Sequence, residues 1–261
     1  MKYNYHTHTS RCGHATGTAE EYVITAIENG IKHMGFSDHI PLRFSDGTES
    51  HYRVPVCEAE DYCKEILSLR TKYKDKIDLK VGFESEYYPE LFDEMLENAV
   101  KWGAEYLILG QHYTFPENEG ARHTVKESDS REELAAYTDS VIAAMRKNVF
   151  SYIAHPDVFN FTGDVDFYRS EARRLCAAAR EMNVPLEINF LGIRGERHYP
   201  REDFWKVAGE EKAPVTFGFD AHEPESAFDK ESLAKAERMV AKYNLNYIGK
   251  SELILIRDIK T

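Results

Sequence analysis

Cysteine is scarce in this chain, and none of it is paired in sequence. Cys12, Cys57, Cys63 and Cys176 form no CxxC spacing and no dense framework. That excludes a disulfide scaffold and reads as four reduced thiols of a cytosolic protein. No run of 18 apolar residues occurs, so no membrane-spanning helix is expected. The opening MKYNYHTHTS lacks the apolar segment of a secretion signal, and the expected compartment is the cytoplasm. Positive charge is in deficit: 33 Lys and Arg against 45 Asp and Glu leave a net charge of −12. A field of that sign repels phosphate backbones and anionic lipid, so neither nucleic acid nor a membrane is the expected partner. A GxxxxGK[ST] loop, a GxGxxG turn and a GxSxG elbow are also missing, which argues against NTPase, dinucleotide and serine-nucleophile chemistry. With 42% hydrophobic residues over 261 positions, the chain has enough apolar surface for a core that needs no covalent staples.

Short apolar runs alternate with longer helical patterns. Strands are expected at residues 3–8, 34–39, 79–86, 106–110, 150–154, 185–190 and 215–219, with an apolar tail at 253–256. Helices are expected between them. Thr18 and Glu21 form a capping box before one that stops at Gly30, and Ser130 and Glu133 cap another. Such alternation predicts an α/β fold with a parallel sheet, and seven units in a row predict a seven-stranded barrel built as one domain, residues 1–261. Two irregular stretches, residues 41–56 and 114–128, follow strands, where barrels keep their working loops.

The placement of the eleven histidines is more telling than their number. His6 and His8 stand two apart at the end of the first strand, on one side of it. Asp38 and His39 close the second, and Glu84 and Glu86 share a face of the third. His112 and His155 follow the fourth and fifth, Asn189 ends the sixth, and Asp220 and His222 end the seventh. Barrel strand ends converge on one mouth, so these residues are expected to meet in space. Imidazole and carboxylate together suit Zn, Fe or Mn. About nine donors exceed one tetrahedral shell, so two or three metals are implied; pairs about 3.5–4 Å apart are usual in phosphoester hydrolysis. His33, His51, His123 and His198 read as caps or surface residues.

Read together, the segments His6-Thr7-His8, Cys12-Gly13-His14, Ser37-Asp38-His39, Gly82-Phe83-Glu84, Gly110-Gln111-His112, Ala154-His155-Pro156-Asp157 and Phe219-Asp220-Ala221-His222 resemble the polymerase and histidinol phosphatase (PHP) superfamily. The stretch from Glu187-Ile188-Asn189 through Gly192-Ile193-Arg194 to Tyr199-Pro200 is most similar to its stand-alone histidinol-phosphate phosphatases. The resemblance implies a distorted seven-stranded TIM-like barrel and three divalent ions, Zn, Fe or Mn. One ion would sit on His6, His8, Glu84 and Asp220. Glu84 would bridge to a second ion completed by His112 and His155, with Glu86 as the competing bridge. His14, His39 and His222 would hold the third.

The implied reaction is hydrolysis of L-histidinol phosphate to L-histidinol and phosphate by a metal-bridging hydroxide, with another small phosphate ester or a phosphodiester as the alternative substrate. A metal-binding module without catalysis is the reading from a different class. Arg194 and Arg197 would neutralise the phosphoryl oxygens, and Asp220, His222 or a metal-bound water would protonate the leaving alkoxide. Tyr113, Phe115, Phe161 and Phe190 are candidate walls for an imidazole ring, and Asn189 a candidate substrate contact. The chain departs from the family pattern after His155-Pro156-Asp157, where Val158-Phe159-Asn160-Phe161 offers no basic residue. Arg122 or His123 is the expected substitute.

Overall fold

Every strand expected from the pattern forms, all but the first within a residue of its expected bounds. The computed structural model describes residues 1–259. β1 (Tyr3–Asn4), β2 (His33–His39), β3 (Asp78–Ser85), β4 (Tyr106–Leu109), β5 (Phe150–Ile153), β6 (Leu186–Asn189), β7 (Pro214–Gly218) and β8 (Asn246–Tyr247) lie side by side in chain order. Every neighbouring pair is parallel. The crossovers carry α1 (Ala19–Glu28), α2 (Ala59–Tyr73), α3 (Phe92–Trp102), α4 (Arg131–Arg146), α5 (Val165–Met182), the pair α6 (Phe190–Arg194) and α7 (Glu202–Glu211), and α8 (Lys230–Lys242). No described helix is long and apolar enough to cross a membrane.

The local signals act as chemistry requires. Glu21 N–H donates to Thr18 Oγ1 (3.3 Å), and Thr18 N–H donates to Glu21 Oε2 (2.7 Å), closing the box that starts α1. Ser130 Oγ accepts from Glu133 N–H (3.2 Å) at the start of α4. The four cysteines are free.

Two expectations are corrected. The sheet has eight strands rather than seven, and it is open, since β1 and β8 form no ladder among the described residues. β8 carries no apolar run to announce it: it is two exposed residues paired to Pro214 and Val215. The apolar tail at 253–256 is not a strand. Leu253 packs against the smaller of two apolar clusters, formed by Tyr3, Tyr5, Tyr106, Ile108, Tyr152 and Ala154. In β4, Leu107 and Leu109 point the other way, into the helix-facing core.

The first strand also differs. β1 ends at Asn4, so His6 and His8 belong to an extended segment rather than a ladder. That segment is stitched to the chain beyond β7 by an isolated parallel bridge between Thr7 and Ala221, with His8 N–H donating to Ala221 O (2.9 Å). Asn4 Oδ1 adds a bond from Phe219 N–H (3.1 Å).

Candidate metal centre

Strand register brings the first donors together. β2 and β3 pair residue for residue from His33–Asp78 to His39–Glu84, so His39 and Glu84 finish at the same height. Glu84, only 1% exposed, lies at the middle of the constellation. Its Oε2 is 3.5 Å from His6 Nε2, 3.4 Å from His8 Nε2 and 3.3 Å from His39 Nδ1. Its Oε1 is 2.8 Å from His155 Nε2 and 3.6 Å from His112 Nε2. Asp220 Oδ1 completes the inner group at 3.4 Å from His6 Nε2 and 3.2 Å from His8 Nε2. At the cleft edge, the Nε2 atoms of His14 and His222 are 3.0 Å apart. His155 and Asp220 hold their places with positive φ, +29° and +47°, a backbone cost that sites of function commonly carry.

These donors fit a cation better than they fit one another. His6 Nε2, His8 Nε2, His39 Nδ1 and Asp220 Oδ1 are buried, yet none has a hydrogen-bond partner, and such atoms are costly unless something else satisfies them. Donors bound at about 2.1 Å in a tetrahedral shell stand roughly 3.4 Å apart. The spacings among His6, His8, Glu84 and Asp220 are of that size. Close groupings of His6, His8 and Glu84, of His39, Glu84 and His112, and of His14, His39 and His222 recur around the cleft.

The electrostatics agree. Burial alone would raise the Glu84 and Asp220 carboxyls, but the imidazoles around them overcome it and hold both well below the usual carboxylate range. Burial would likewise depress His6, and the carboxylates of Asp220, Glu187 and Glu84 reverse this and lift it to about 10. The field at the inner site is one that attracts positive charge. Farther out, His222 is pushed down to about 3 by burial and by the neighbouring His8.

A shell of carboxylates that the sequence reading assigned no such role orients the imidazoles. His6 Nδ1–H donates to Glu187 Oε2 (2.9 Å), and His112 Nδ1–H donates to Glu86 Oε1 (2.9 Å). His8 Nδ1 faces Asp38 Oδ1 at 3.3 Å. Each bond leaves the opposite ring nitrogen, Nε2, as the free donor. Glu86, expected as a rival bridge, is therefore an orienting group. Glu187 fits only because residue 218 is glycine: a Cβ there would meet Glu187 Oε2 at 1.9 Å.

Other expected contacts lie elsewhere. Arg194 is turned to the backbone, its Nη1 donating to Phe219 O (2.6 Å) and its Nη2 to Asp220 O, so it clamps the turn that carries Asp220 and does not line the cleft. Asn189 donates to Glu187 Oε1 (2.7 Å) and Asp220 Oδ2 (3.0 Å), and its Oδ1 caps α6 on Gly192 N–H (3.0 Å). All its polar atoms are thus spent inside the protein. Phe115 is 45% exposed and away from the cleft, while Phe161 and Phe190 are core residues. Arg122 pairs with Glu133.

The cleft itself, about 460 Å³, is lined above the donors by Tyr52, Tyr113, His123, Arg197 and Tyr199, and also by His51. His123 thus corrects its reading as a cap or surface residue, while His51 is a surface residue at the cleft. Arg197 Nη1 donates to Tyr199 OH (2.9 Å). His123 Nδ1 accepts from Val125 N–H (3.2 Å), which leaves its proton on Nε2. Burial and the nearby His112 push its pKa down to about 3, so it is neutral at pH 7.

Comparison with known proteins places this geometry in a family. The sequence pattern described as PHP domain matches residues 4–190. A protein of Deinococcus radiodurans named probable histidinol-phosphatase is 29% identical over 227 residues, 84% of this chain and 85% of the relative. The histidinol-phosphatase of Bacillus subtilis is 25% identical over 85% of this chain and 94% of its own. The crystal structure of histidinol phosphate phosphatase from Lactococcus lactis, complexed with zinc, L-histidinol and phosphate, has the same fold, with a TM-score of 0.72 at 18% identity over 100% of this chain and 99% of that one. The chain belongs to the PHP domain family.

Proposed function

We propose that this protein is a metal-dependent phosphomonoesterase, working as one domain, that hydrolyses L-histidinol phosphate to L-histidinol and phosphate. The observation that carries the reading is the set of buried, partnerless donors (His6 Nε2, His8 Nε2, His39 Nδ1 and Asp220 Oδ1) at the base of a cleft sized for a small molecule. The names of the two sequence relatives and of the Lactococcus structure supply the substrate.

His6, His8, Glu84 and Asp220 would hold one ion, Glu84, His112 and His155 a second, and His14, His39 and His222 a third. Bound there, divalent cations supply Lewis acidity toward the phosphoryl group and a nucleophile available at neutral pH. The chain's own residues do the rest. Arg197, on the cleft wall, binds the phosphoryl oxygens with a charge-assisted bond and is oriented by Tyr199. His123 presents Nε2–H from the opposite loop as a neutral donor to the same group. It takes the place of the basic residue missing after Asp157. Tyr52 and Tyr113, their rings 6.1 Å apart, offer apolar faces to the imidazole of the substrate. Arg194 and Asn189 act from behind, holding Asp220 in its strained turn.

The test is phosphate release from L-histidinol phosphate by chelator-stripped protein resupplied with Mn, Zn or Fe, beside a panel of other phosphate esters. Metal-dependent release from histidinol phosphate above the panel is the expected result. Release from other esters alone would discard the substrate and keep the centre.

A further inference from the structure

The two irregular segments that follow β2 and β4 meet over one wall of the cleft, where Asn118 donates to Asp46 Oδ2 (3.2 Å) and the Glu117 carboxylate gathers most of the bonds between them. Glu117 Oε1 accepts from Ser50 Oγ, Tyr52 OH and Arg53 Nε, each at 2.8 Å, and Oε2 accepts from Tyr88 OH at 2.9 Å. Arg53 is 2% exposed, an unusual place for a guanidinium. It reaches three acceptors in three directions. Nε goes to Glu117, Nη1 donates to Ile40 O (3.2 Å), and Nη2 lies 2.8 Å from Glu86 Oε2. That last contact is off the hydrogen-bonding axis and is held by charge. Glu86 Oε1 then takes the Nδ1–H of His112.

A continuous line of side chains therefore runs from the loops to a donor of the metal centre: Glu117, Arg53, Glu86, His112. The chemistry explains why Arg53 is needed. Glu86 is 1% exposed, and the Arg53 guanidinium gives it a positive partner, without which a carboxylate so buried is costly. With Oε2 held against Arg53, Glu86 Oε1 is aimed at His112 and accepts its Nδ1–H, which leaves Nε2 free. Lysine, with one compact charge, cannot serve three divergent acceptors.

We propose that Arg53 is a positioning residue of the metal centre: through Glu86 it fixes the tautomer and aim of His112, and through Glu117 it makes that aim depend on the two loops being docked on each other. The inference rests on His112 being a ligand, as assigned above. A role confined to structural glue would cost stability and leave metal binding untouched.

The experiment compares the wild type with His112→Ala, Arg53→Gln, Arg53→Lys and Glu117→Gln. Zinc content after gel filtration, zinc affinity by chelator competition, kcat and KM, and the Tm of the metal-free protein are measured for each. Arg53→Gln should weaken, by about 10- to 100-fold, the same zinc ion that His112→Ala removes. The other ions should be retained, and kcat should fall with KM little changed. Arg53→Lys should fail to restore that affinity. Glu117→Gln should give a smaller loss in the same direction, and it carries the test if Arg53→Gln does not fold. Wild-type zinc affinity in folded Arg53→Gln, or in Glu117→Gln where that is the folded variant, with only Tm lowered, would overturn the proposal. A wild type that binds no zinc, or a His112→Ala protein that binds it undiminished, would overturn the ligand assignment and this inference with it.

Discussion

Gly110 and Glu84 compete for one volume. A Cβ on Gly110 would lie 1.9 Å from Glu84 Oε1 and 2.5 Å from its carboxyl carbon, so the position after β4 is bare because a carboxylate fills its space. Gly110→Ala must push Glu84 off its position or bend the start of the loop to His112. The expected result is a stable but metal-poor protein. Overpacking of this kind costs about 1–3 kcal/mol, and zinc content and turnover should fall far more than Tm does. Wild-type zinc content in a folded Gly110→Ala protein would contradict the placement of Glu84.

Glu187 is predicted to matter without touching substrate. Its charge holds the Nδ1–H of His6, and it also accepts from Asn189. Glu187→Gln keeps the size and removes the charge, so zinc affinity is expected to drop by about 10- to 100-fold. Chelator competition measures it directly. An unchanged affinity would show that His6 needs no orienting charge.

The two arginines after β6 should separate cleanly. Arg197→Ala removes a cleft-wall charge and is expected to raise KM for the phosphate ester by about 10- to 100-fold, the worth of a hydrogen bond to a charged group. Arg194→Ala instead releases the carbonyls of Phe219 and Asp220. Lower Tm and kcat with a nearly constant KM are expected there. Steady-state kinetics on the two variants would expose a reversal of these roles.

Glu117 makes stability depend on pH in a definite window. Burial alone would raise its carboxyl, but Arg53 outweighs it and holds the pKa down to about 2 against an ordinary 4.5. The folded state therefore binds this proton less readily than the unfolded chain does. Its contribution is complete above pH 4.5 and is lost as the pH falls from 4.5 toward 2. The loss is on the order of 3 kcal/mol for a shift of this size. Denaturant melts of metal-free wild type and Glu117→Gln should converge across that window. Parallel curves would refute it.

Much of the centre was legible from spacing because parallel strands bring their carboxyl ends to one level. His39 and Glu84, 45 positions apart, are a register pair, and a reader who aligns strand ends obtains them together. What could not be read is which way a side chain turns after its strand stops. Arg194 sits where a phosphate contact would be expected, but the backbone carbonyls of Phe219 and Asp220, just past β7, capture it. Asn189 is spent on a helix cap and two carboxylates. Glu187 stood in plain view in the sixth strand, yet nothing in its own neighbourhood says that it meets His6, 181 residues earlier. β8 was invisible for the opposite reason: two exposed residues at a sheet edge carry no periodicity. Arg53 and Glu117 lie in stretches that pattern reading can only name as loops.

The stitch between Thr7 and Ala221 has a consequence for biosynthesis. Residues 6–8 leave the ribosome before their partners at 219–222, which follow more than two hundred residues later. During translation the early histidines have neither Asp220 nor the bridge that aims them, so a nascent chain offers at most a partial chelate. The inner site comes into being only after the seventh strand is made. Loading of that site is thus expected to be late, and a protein cut short before residue 220 should be unable to hold the full complement however well its earlier strands fold.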